Sequence, residues 1–322
     1  MPALLLEPDD GAIQRAVRVL REGGLVAMPT ETVYGLACDA SNGEAIARLY
    51  AAKGRPRFNP LIAHVADEAM ARREASWSSD GADFASRLAA KFWPGPLTIV
   101  LPFADQTGSV SDLARAGLST IALRQPDHPT ALRLLRAFGG PLVAPSANPS
   151  GRMSPTRAEH VAQEMGDKVD LILDGGACRV GVESTIVSLV GEEPALLRPG
   201  GVDPERLAET LGVELRSGGD RPDAPSSPGQ LLRHYAPRAR LRLNATSAAE
   251  GEVYLGFGPT GTSGAVPDNL SPEGDLVEAA ASLFTKLREL DTRTERIAVA
   301  PVPNAGLGLA INDRLRRAAR RN

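Results

Sequence analysis

Three cations stand within five residues of one short segment: Lys53, Arg55 and Arg57, with Pro56 between the two arginines. Ammonium and guanidinium groups bind phosphate oxygens through short, charge-assisted hydrogen bonds. The proline stiffens the segment, so less conformational freedom is lost when an anion binds. A cluster of cations is unfavourable in a hydrophobic core but favours binding of a polyanion. The segment therefore predicts a phosphorylated ligand.

Other polar side chains flank predicted strands. Each of the following stands where a short apolar run begins or ends: Arg124, Ser146, Asn148, Ser184 and Arg198. Ligands of open α/β sheets tend to bind where strands give way to loops. Any single one of these loops can be a plain turn, because Pro, Ser, Asn and Gly favour turns. Their number nevertheless favours one ligand site with hydroxyl, amide and guanidinium donors.

The elements that must position these residues alternate between helix and strand. Ser41 with Glu44 predicts a capping box at one helix start, and Thr156 with Glu159 predicts a second. Short apolar runs bounded by turn residues predict buried strands between the helices. The alternation indicates an α/β fold with a mixed sheet.

A change of composition divides the chain. Residues 216–238 are rich in Pro, Gly, Ser and charged residues without apolar periodicity, which is typical of a linker. We therefore predict a first domain at 1–215, the linker at 216–238 and a small α/β domain at 239–322. The last predicted helix, 310–321, carries several arginines, Arg314 among them. They are expected to lie in solvent, since cations near a helix C-terminus are favoured by the macrodipole.

Composition excludes several protein classes. The 322 residues carry 36 Lys and Arg against 39 Asp and Glu, a formal net charge of −3, so the chain has no global attraction to nucleic acid. Cys38 and Cys178 are too few for a disulfide scaffold or a four-cysteine zinc site, although a pairing between them stays open. No segment reads as a secretory signal or a membrane span, so we expect the cytoplasm.

A series of short motifs follows one another along the chain: PTETVYGL at 29–36, KGRPRFNPL at 53–61, WPGPLT at 93–98, RQPDHP at 124–129, APSAN at 144–148, SPT at 154–156, EST at 183–185 and LRPGG at 197–201. In this order they resemble the YrdC-like threonylcarbamoyl-AMP synthases in their longer, two-domain form. SPG at 227–229 and HYAP at 234–237 resemble the family's signature between its domains. The resemblance covers nearly the whole sequence. It implies an open, twisted mixed sheet with helices and a concave ligand face, plus a smaller C-terminal α/β, Rossmann-like domain.

The resemblance also implies an activity. The family's enzymes are nucleotidyltransferases that join L-threonine, bicarbonate or CO2, and ATP into L-threonylcarbamoyladenylate and release pyrophosphate. The product would serve the t6A modification of tRNA adenosine 37 through a separate transferase machinery, without stable binding of tRNA to this chain. Mg²⁺ is expected on the ATP phosphates rather than in a protein metal site. No enzyme nucleophile is needed, so catalysis would depend on positioning and on neutralising phosphate charge.

Matching positions imply two subsites. The residues implied for ATP are Lys53, Arg55, Arg57, Thr120, Ser146, Asn148, Ser154, Arg198 and Tyr235, with Lys53 and Arg55 also catalytic. The residues implied for threonine are Thr30, His64, Arg124, the backbone of Ala144, and Ser184. The fork of Arg124 suits the amino acid carboxylate, and Tyr235 would cover the nucleotide as a lid.

Two departures from the family leave details open. Arg57 stands where many relatives carry Ser, and residues 230–232 read QLL where MKY is common. Two other functions also remain as alternatives. One is a module that only binds RNA through a basic face. The other is carbamoyl transfer of the hydrogenase-maturation type, although the acylphosphatase and zinc-finger segments of those proteins have no counterpart here.

Overall fold

The computed structural model describes most of the chain: residues 3–77, 82–219, 227, 234–259 and 268–320. Much of the predicted linker, including 230–232, lies outside the described residues. The bounds of the two domains therefore stay a prediction.

The helices in the described part of the chain follow one another in this order: α1 Asp10–Arg21, α2 Gly43–Lys53, α3 Glu68–Glu74, α4 Ala82–Phe92, α5 Asp112–Arg115, α6 Pro129–Phe138, α7 Ala158–Met165, α8 Pro204–Leu211, α9 Leu276–Asp291 and α10 Leu307–Ala319. The strands are β1 Leu4–Leu6, β2 Val26–Met28, β3 Gly35–Asp39, β4 Ile62–His64, β5 Leu97–Pro102, β6 Thr120–Arg124, β7 Leu142–Val143, β8 Leu171–Leu173, β9 Thr185–Ser188, β10 Ala195–Arg198, β11 Arg216–Ser217, β12 Arg240–Arg242, β13 Val253–Leu255 and β14 Arg296–Val299.

The strands form one large sheet and one small sheet. Counted over the described residues, the large sheet has 11 strands in the order β1-β8-β2-β3-β7-β4-β6-β5-β9-β10-β11 and contains both parallel and antiparallel pairs. The small sheet has 3 strands in the order β12-β14-β13, all parallel, with α9 as the connection between β13 and β14. The predicted α/β class with a mixed sheet is confirmed.

Local sequence explains how α2 delivers the first cation of the predicted phosphate segment. The side chain of Asn42 caps the helix by accepting hydrogen bonds from the backbone N–H groups of Glu44 (3.0 Å) and Ala45 (3.1 Å). Gly54 ends it in the left-handed conformation, at φ 60°. Lys53 is thus the last helical residue, and the chain turns sharply after it.

Both predicted capping boxes are wrong in detail. The cap of α2 is Asn42, while the Ser41 hydroxyl donates to Asp39 at 2.7 Å. At α7 the N-cap is Arg157 without a side-chain hydrogen bond, and the Thr156 hydroxyl instead pairs with Thr285 of α9 at 3.1 Å. The Ser41 hydroxyl thus finds a different local partner and the Thr156 hydroxyl a long-range one, and neither partner follows from the spacing of a capping box.

Three buried apolar clusters lie within the described residues: two large cores and a small group on the large sheet formed by Ile62, Val100, Ala122 and Ile186. The larger core lies between the large sheet and the helices of the first 211 residues. The second core lies around α9, α10 and the small sheet, and it also includes Val33, Met153 and Val182 from loops of the large-sheet unit. Helix α9 therefore packs directly on loops that carry the motifs. Gly181 shows how closely: its φ is +74°, and a Cβ there would lie 2.3 Å from the carbonyl oxygen of Ala280.

Within the described residues, no helix combines the length and apolar character needed to cross a membrane. Cys38 and Cys178 are both buried and free, so the open question of a disulfide between them is answered by two separate thiols.

Candidate active site

Many of the predicted site residues meet at one small cavity of about 50 Å³ on the large sheet. Those that line it are Arg55, His64, Arg124, Ala144, Ser146, Ser184, Arg198 and Tyr235. Val33, Ile62, Pro145, Glu183 and His234 complete the lining. The cavity is therefore lined by residues of both implied subsites and by His234 and Tyr235 from the end of the predicted linker.

Strand register explains the convergence. Strands β7, β4, β6, β5, β9 and β10 are consecutive neighbours in the sheet. In β4 and β6, which run parallel, His64 lies opposite Arg124. In β5 and β9, also parallel, Leu97 lies opposite Thr185, so Ser184 comes to the same end of the sheet. Because the ends of β4 and β6 and the start of β9 meet at this end of the sheet, His64, Arg124 and Ser184 face one space although they are distant in sequence.

Arg124 is only partly available to a ligand. Its Nη2 donates to Oε1 of Glu31 at 2.7 Å and to the Thr32 hydroxyl at 2.8 Å, and its Nε approaches the carbonyl oxygen of Gly95 at 3.4 Å. Glu31 is fully buried and also accepts from the backbone N–H of Asp127 at 3.0 Å. The hydrogen bonds found in the described residues leave Nη1 with two N–H donors for a ligand.

Arg198 is held by the loop beside it. Its Nε and Nη2 donate to the carbonyl oxygen of Ser184 at 3.1 and 2.9 Å, and Nη2 also reaches the Ser184 hydroxyl at 3.1 Å. That hydroxyl lies 2.8 Å from the hydroxyl of Thr98. Gly200 allows the two loops to meet, because a Cβ there would lie 2.3 Å from the carbonyl oxygen of Glu183. The guanidinium is thus oriented before any ligand binds.

Arg55 and Arg57 have different surroundings although they are two residues apart. Arg55 is buried, lines the cavity, and donates to the carbonyl oxygens of Asn59 (3.2 Å) and Pro60 (2.9 Å). Arg57 is exposed and does not line the cavity. The structure therefore separates these two members of the implied phosphate clamp.

Lys53 supports the site without lining the cavity. Its ammonium donates to the carbonyl oxygen of Ser146 at 2.5 Å and to that of Asn148, and its own carbonyl accepts from the N–H of Ser150 at 2.7 Å. Burial, reinforced by the nearby charge of Arg55, holds the pKa of Lys53 well below its usual value. Lys53 thus holds the loop that presents Ser146.

The remaining implied residues lie around the cavity rather than in its wall. The Thr30 hydroxyl closes a turn by donating to the carbonyl oxygen of Val33 at 2.6 Å. The Asn148 amide donates within its loop, to Pro149 and Arg152. Thr120 begins β6, four residues before Arg124 and about 13 Å away along the strand. The roles implied for these residues stay predictions.

Glu183 is the acidic residue of the cavity and was not among the implied site residues. Its Oε1 accepts from the Ser154 hydroxyl and its Oε2 from Nε of Arg314 at 2.8 Å. Burial alone would raise the pKa of Glu183, but the charges of Arg314 and Arg198 and the Ser154 hydrogen bond lower it to about 2. With Arg55, Arg124 and Arg198 against one carboxylate, the lining is net positive and suits an anion.

The sequence carried a signal for two of the overlooked residues, because Glu31 and Glu183 stand inside two of the ordered motifs. No motif in the sequence marked Arg314 as a site residue, and the expectation that its side chain lies in solvent is wrong. Its side chain is 1% exposed and bonded to Glu183. Which face of a helix is covered depends on the partner that packs there.

The lining offers no protein metal site. In the part of the chain that the structure describes, no three His, Cys, Asp or Glu side chains cluster in a way that could hold a metal ion. Both carboxylate oxygens of Glu183 already accept hydrogen bonds from Ser154 and Arg314. The described lining residues therefore suit an anionic ligand, and Mg²⁺ carried by that ligand stays a prediction.

Acid is expected to destabilise the protein through His64. Burial first, and then the charge of Arg124, lower the pKa of His64 to about 3, against an ordinary value of about 6.5 in the unfolded chain. The unfolded state therefore takes up the proton first, and stability present above pH 6.5 is lost as the pH falls towards 3. For this one residue we expect a loss of about 2 kcal/mol between pH 7 and pH 5.

Urea unfolding at both pH values, compared with His64→Gln, measures this loss. The glutamine variant should show a smaller decrease of unfolding free energy than the wild-type protein. His160 and His234, whose pKa values are also lowered by burial, add to the decrease in both proteins alike. Equal pH sensitivity of the two proteins would contradict the assignment to His64.

Comparison with known proteins agrees with the motifs. Residues 18–200 match the Sua5/YciO/YrdC family model, described as telomere recombination, and residues 202–320 match the model of the threonylcarbamoyl-AMP synthase C-terminal domain. The chain is 39% identical to the threonylcarbamoyl-AMP synthase of Bacillus subtilis over 332 residues. This alignment covers 98% of this chain and 94% of that protein.

A second relative and a solved structure show comparable similarity. Identity to the threonylcarbamoyl-AMP synthase of Pyrococcus abyssi is 40% over 329 residues, 97% of this chain and 95% of that protein. The crystal structure of P. abyssi Sua5 complexed with L-threonine matches with a TM-score of 0.87 at 37% identity, covering 99% of this chain and 97% of that one.

Proposed function

This chain belongs to the Sua5/YrdC family of threonylcarbamoyl-AMP synthases, in its two-domain form, and from that premise we propose that it condenses L-threonine, bicarbonate or CO2, and ATP into threonylcarbamoyl-AMP and pyrophosphate. One observation carries the proposal. Three guanidinium groups, of Arg55, Arg124 and Arg198, and the hydroxyls of Ser146 and Ser184 line a single cavity. An amino acid carboxylate and a polyphosphate are the anions that such a set binds together.

The proposed reaction needs no covalent enzyme intermediate. The threonine amine adds to CO2, losing one proton, or to bicarbonate with loss of water, and forms an N-carboxylate. A carbamate oxygen then attacks the α-phosphorus of ATP, and the bond from that phosphorus to the α,β-bridging oxygen breaks. Pyrophosphate leaves with that oxygen. The protein holds two anions against each other and neutralises their charge, which is the chief source of rate in phosphoryl and nucleotidyl transfer.

The nucleotide would lie along Arg55, Ser146 and Arg198. Arg55 and Arg198 both point from backbone-bonded positions into the cavity wall, so their geometry is set before binding. Lys53 and Asn148 would contribute indirectly, because the Lys53 ammonium holds the loop of Ser146 through the carbonyl oxygens of Ser146 and Asn148. Mg²⁺ would enter as part of MgATP, its ligands being phosphate oxygens and water.

Threonine would lie at Arg124. Since Glu31 and Thr32 occupy Nη2, the carboxylate of threonine would be received by Nη1, end-on, and not by the full bidentate fork. The P. abyssi Sua5 crystal structure is a complex with L-threonine, which supports an amino acid subsite in this fold. His64 and Ser184 line the same cavity as Arg124.

The substrates need more room than the structure offers. Pockets for small molecules usually measure about 300–1,000 Å³, and this cavity holds about 50 Å³. Tyr235, only 1% exposed, and His234 are the lining residues that come from the linker. We propose that these two residues withdraw when ATP enters and cover it afterwards, which agrees with a lid role for Tyr235.

The product would pass to the enzyme that modifies adenosine 37 of tRNA, and the reaction would take place in the cytoplasm, where tRNA is modified. A net charge of −3 gives the chain no general attraction for tRNA, so we propose transfer of the small adenylate and no stable RNA complex.

Mass spectrometry of the reaction mixture tests the function. The purified full chain with MgATP, L-threonine and bicarbonate should form the adenylate and equimolar pyrophosphate, and omission of any one substrate should abolish both. Carbamoyl phosphate in place of bicarbonate should give no product. Product formed from carbamoyl phosphate would favour carbamoyl transfer. Salt-sensitive RNA binding without ATP turnover would favour an RNA-binding module.

A further inference from the structure

Arg314 lies at the boundary between the C-terminal helices and the cavity. It stands in α10, and its side chain is 1% exposed. Its Nε donates to Glu183 at 2.8 Å, and its Nη1 donates to the carbonyl oxygen of Pro199 at 2.6 Å and to Asp313 at 3.1 Å. The guanidinium carbon lies 5.3 Å from the ring centre of Tyr235. One side chain thus contacts Glu183, the 197–201 loop and the linker.

Burying a guanidinium group is costly unless it is paired and hydrogen-bonded. Here the pairing is distributed over two carboxylates: Glu183 from the large-sheet unit and Asp313 from α10 itself. Asp313 also pairs with Arg317 one turn later, at 3.0 Å. Arg314 is therefore oriented from its own helix toward Glu183.

Glu183 in turn connects Arg314 to the predicted ATP site. Its other oxygen accepts from Ser154, and its charge is coupled to that of Arg198. The hydrogen bonds of Arg198, however, go to Ser184 and not to Glu183. Glu183 and Arg198 nevertheless line the same cavity of about 50 Å³. In so small a buried space the carboxylate competes for a phosphate-binding guanidinium, because opposite charges attract more strongly where water is excluded.

We propose that Arg314 is a positioning residue for ATP binding: by holding the Glu183 carboxylate it keeps Arg198 free for the phosphates. The proposal rests on the proposed function in assigning ATP to this cavity. It gives the C-terminal unit a direct part in the site, since its helix α10 supplies the group that restrains Glu183.

Removing Arg314 should let Glu183 turn toward Arg198. An internal ion pair would then compete with ATP, so binding of MgATP should weaken roughly 10- to 100-fold, while the KM for threonine changes less. Neutralising Glu183 as well removes the competitor. The double variant Glu183→Gln with Arg314→Met should therefore bind MgATP more tightly than Arg314→Met alone.

A second ion pair between the two units provides the control. Arg288 of α9 pairs with Glu164 of α7 and donates to the backbone of Met153, but it does not line the cavity. Arg288→Met removes a partly buried guanidinium, 12% exposed, together with an ion pair between the two units. Thermal unfolding of both variants measures the loss of stability that is common to them.

Calorimetric titration of the full chain with MgATP is the primary measurement, because it does not depend on turnover. The expected result is weak binding by Arg314→Met, near wild-type binding by Arg288→Met, and partial recovery in the double variant. Equal losses in Arg314→Met and Arg288→Met, or no recovery in the double variant, would overturn the proposal. If the wild-type chain binds MgATP but forms no adenylate, the proposed function is refuted. The comparison of MgATP binding between Arg314→Met, Arg288→Met and the double variant would still decide whether Arg314 positions the site.

Discussion

Arg55→Met is expected to lower kcat/KM for ATP by about 10²-fold or more, whereas Arg57→Ser should change it less than about threefold. Arg55 is buried and lines the cavity, and its geometry is held by two backbone carbonyls. A preorganised cation in a water-poor site stabilises phosphate charge far more than a mobile cation in water. Arg57, which is exposed, is screened by solvent and salt.

The two positions form a matched pair, since each substitution removes one guanidinium from the same segment. Adenylate formation at varied ATP, with saturating threonine and bicarbonate, gives the comparison. Serine at 57 also tests the departure from the family at that position. A large effect of Arg57→Ser would show that the segment closes on the nucleotide and brings Arg57 into the site, contrary to its exposed position here.

Arg124→Met is expected to raise the KM for threonine about 10²-fold and to leave binding of MgATP nearly unchanged. The variant loses the two Nη1 donors that face the proposed carboxylate, and charge-assisted hydrogen bonds are worth about 1.5–3 kcal/mol each. It also leaves the carboxylate of Glu31 buried without its cation, which should reduce the free energy of unfolding by about 3–5 kcal/mol.

A double variant separates the two effects. In Glu31→Gln with Arg124→Met the orphaned carboxylate is gone, so stability measured by urea unfolding should recover toward the wild-type value. Threonine use should not recover, because the ligand-binding cation is still missing. Recovery of the threonine KM together with stability would mean that Arg124 acts only through folding, and the threonine subsite would have to lie elsewhere.

Much of the fold followed from local patterns. Short apolar runs bounded by turn residues predict buried strands, of which Leu171–Leu173 is one example, and the fold class with its mixed sheet is confirmed. Local patterns do not indicate every strand: Gly35–Asp39 is buried along most of its length and shows no alternation of apolar and polar residues. Both capping boxes failed where a hydroxyl found a distant or different partner.

The candidate site could likewise be predicted only in part from the sequence. The types of its residues were visible, since cations, hydroxyls and amides at strand ends are unusual enough in sequence to predict an anion site. Which of them reach the cavity was not visible. Arg55 and Arg57 look equivalent in the segment, and only packing separates them. Lys53 looks like a ligand-binding cation, and its ammonium is bonded to loop carbonyls.

The sequence by itself determined the chemistry that this protein can offer: guanidinium, ammonium and hydroxyl groups in ordered motifs, and a family that uses them. Only the tertiary structure decided which groups share a space and which restrain one another, as Glu31 restrains Arg124 and Arg314 restrains Glu183. The physical reason is that strand register and helix packing join residues more than 90 positions apart. Such long-range partners satisfy buried charges, and no local pattern of residues specifies them.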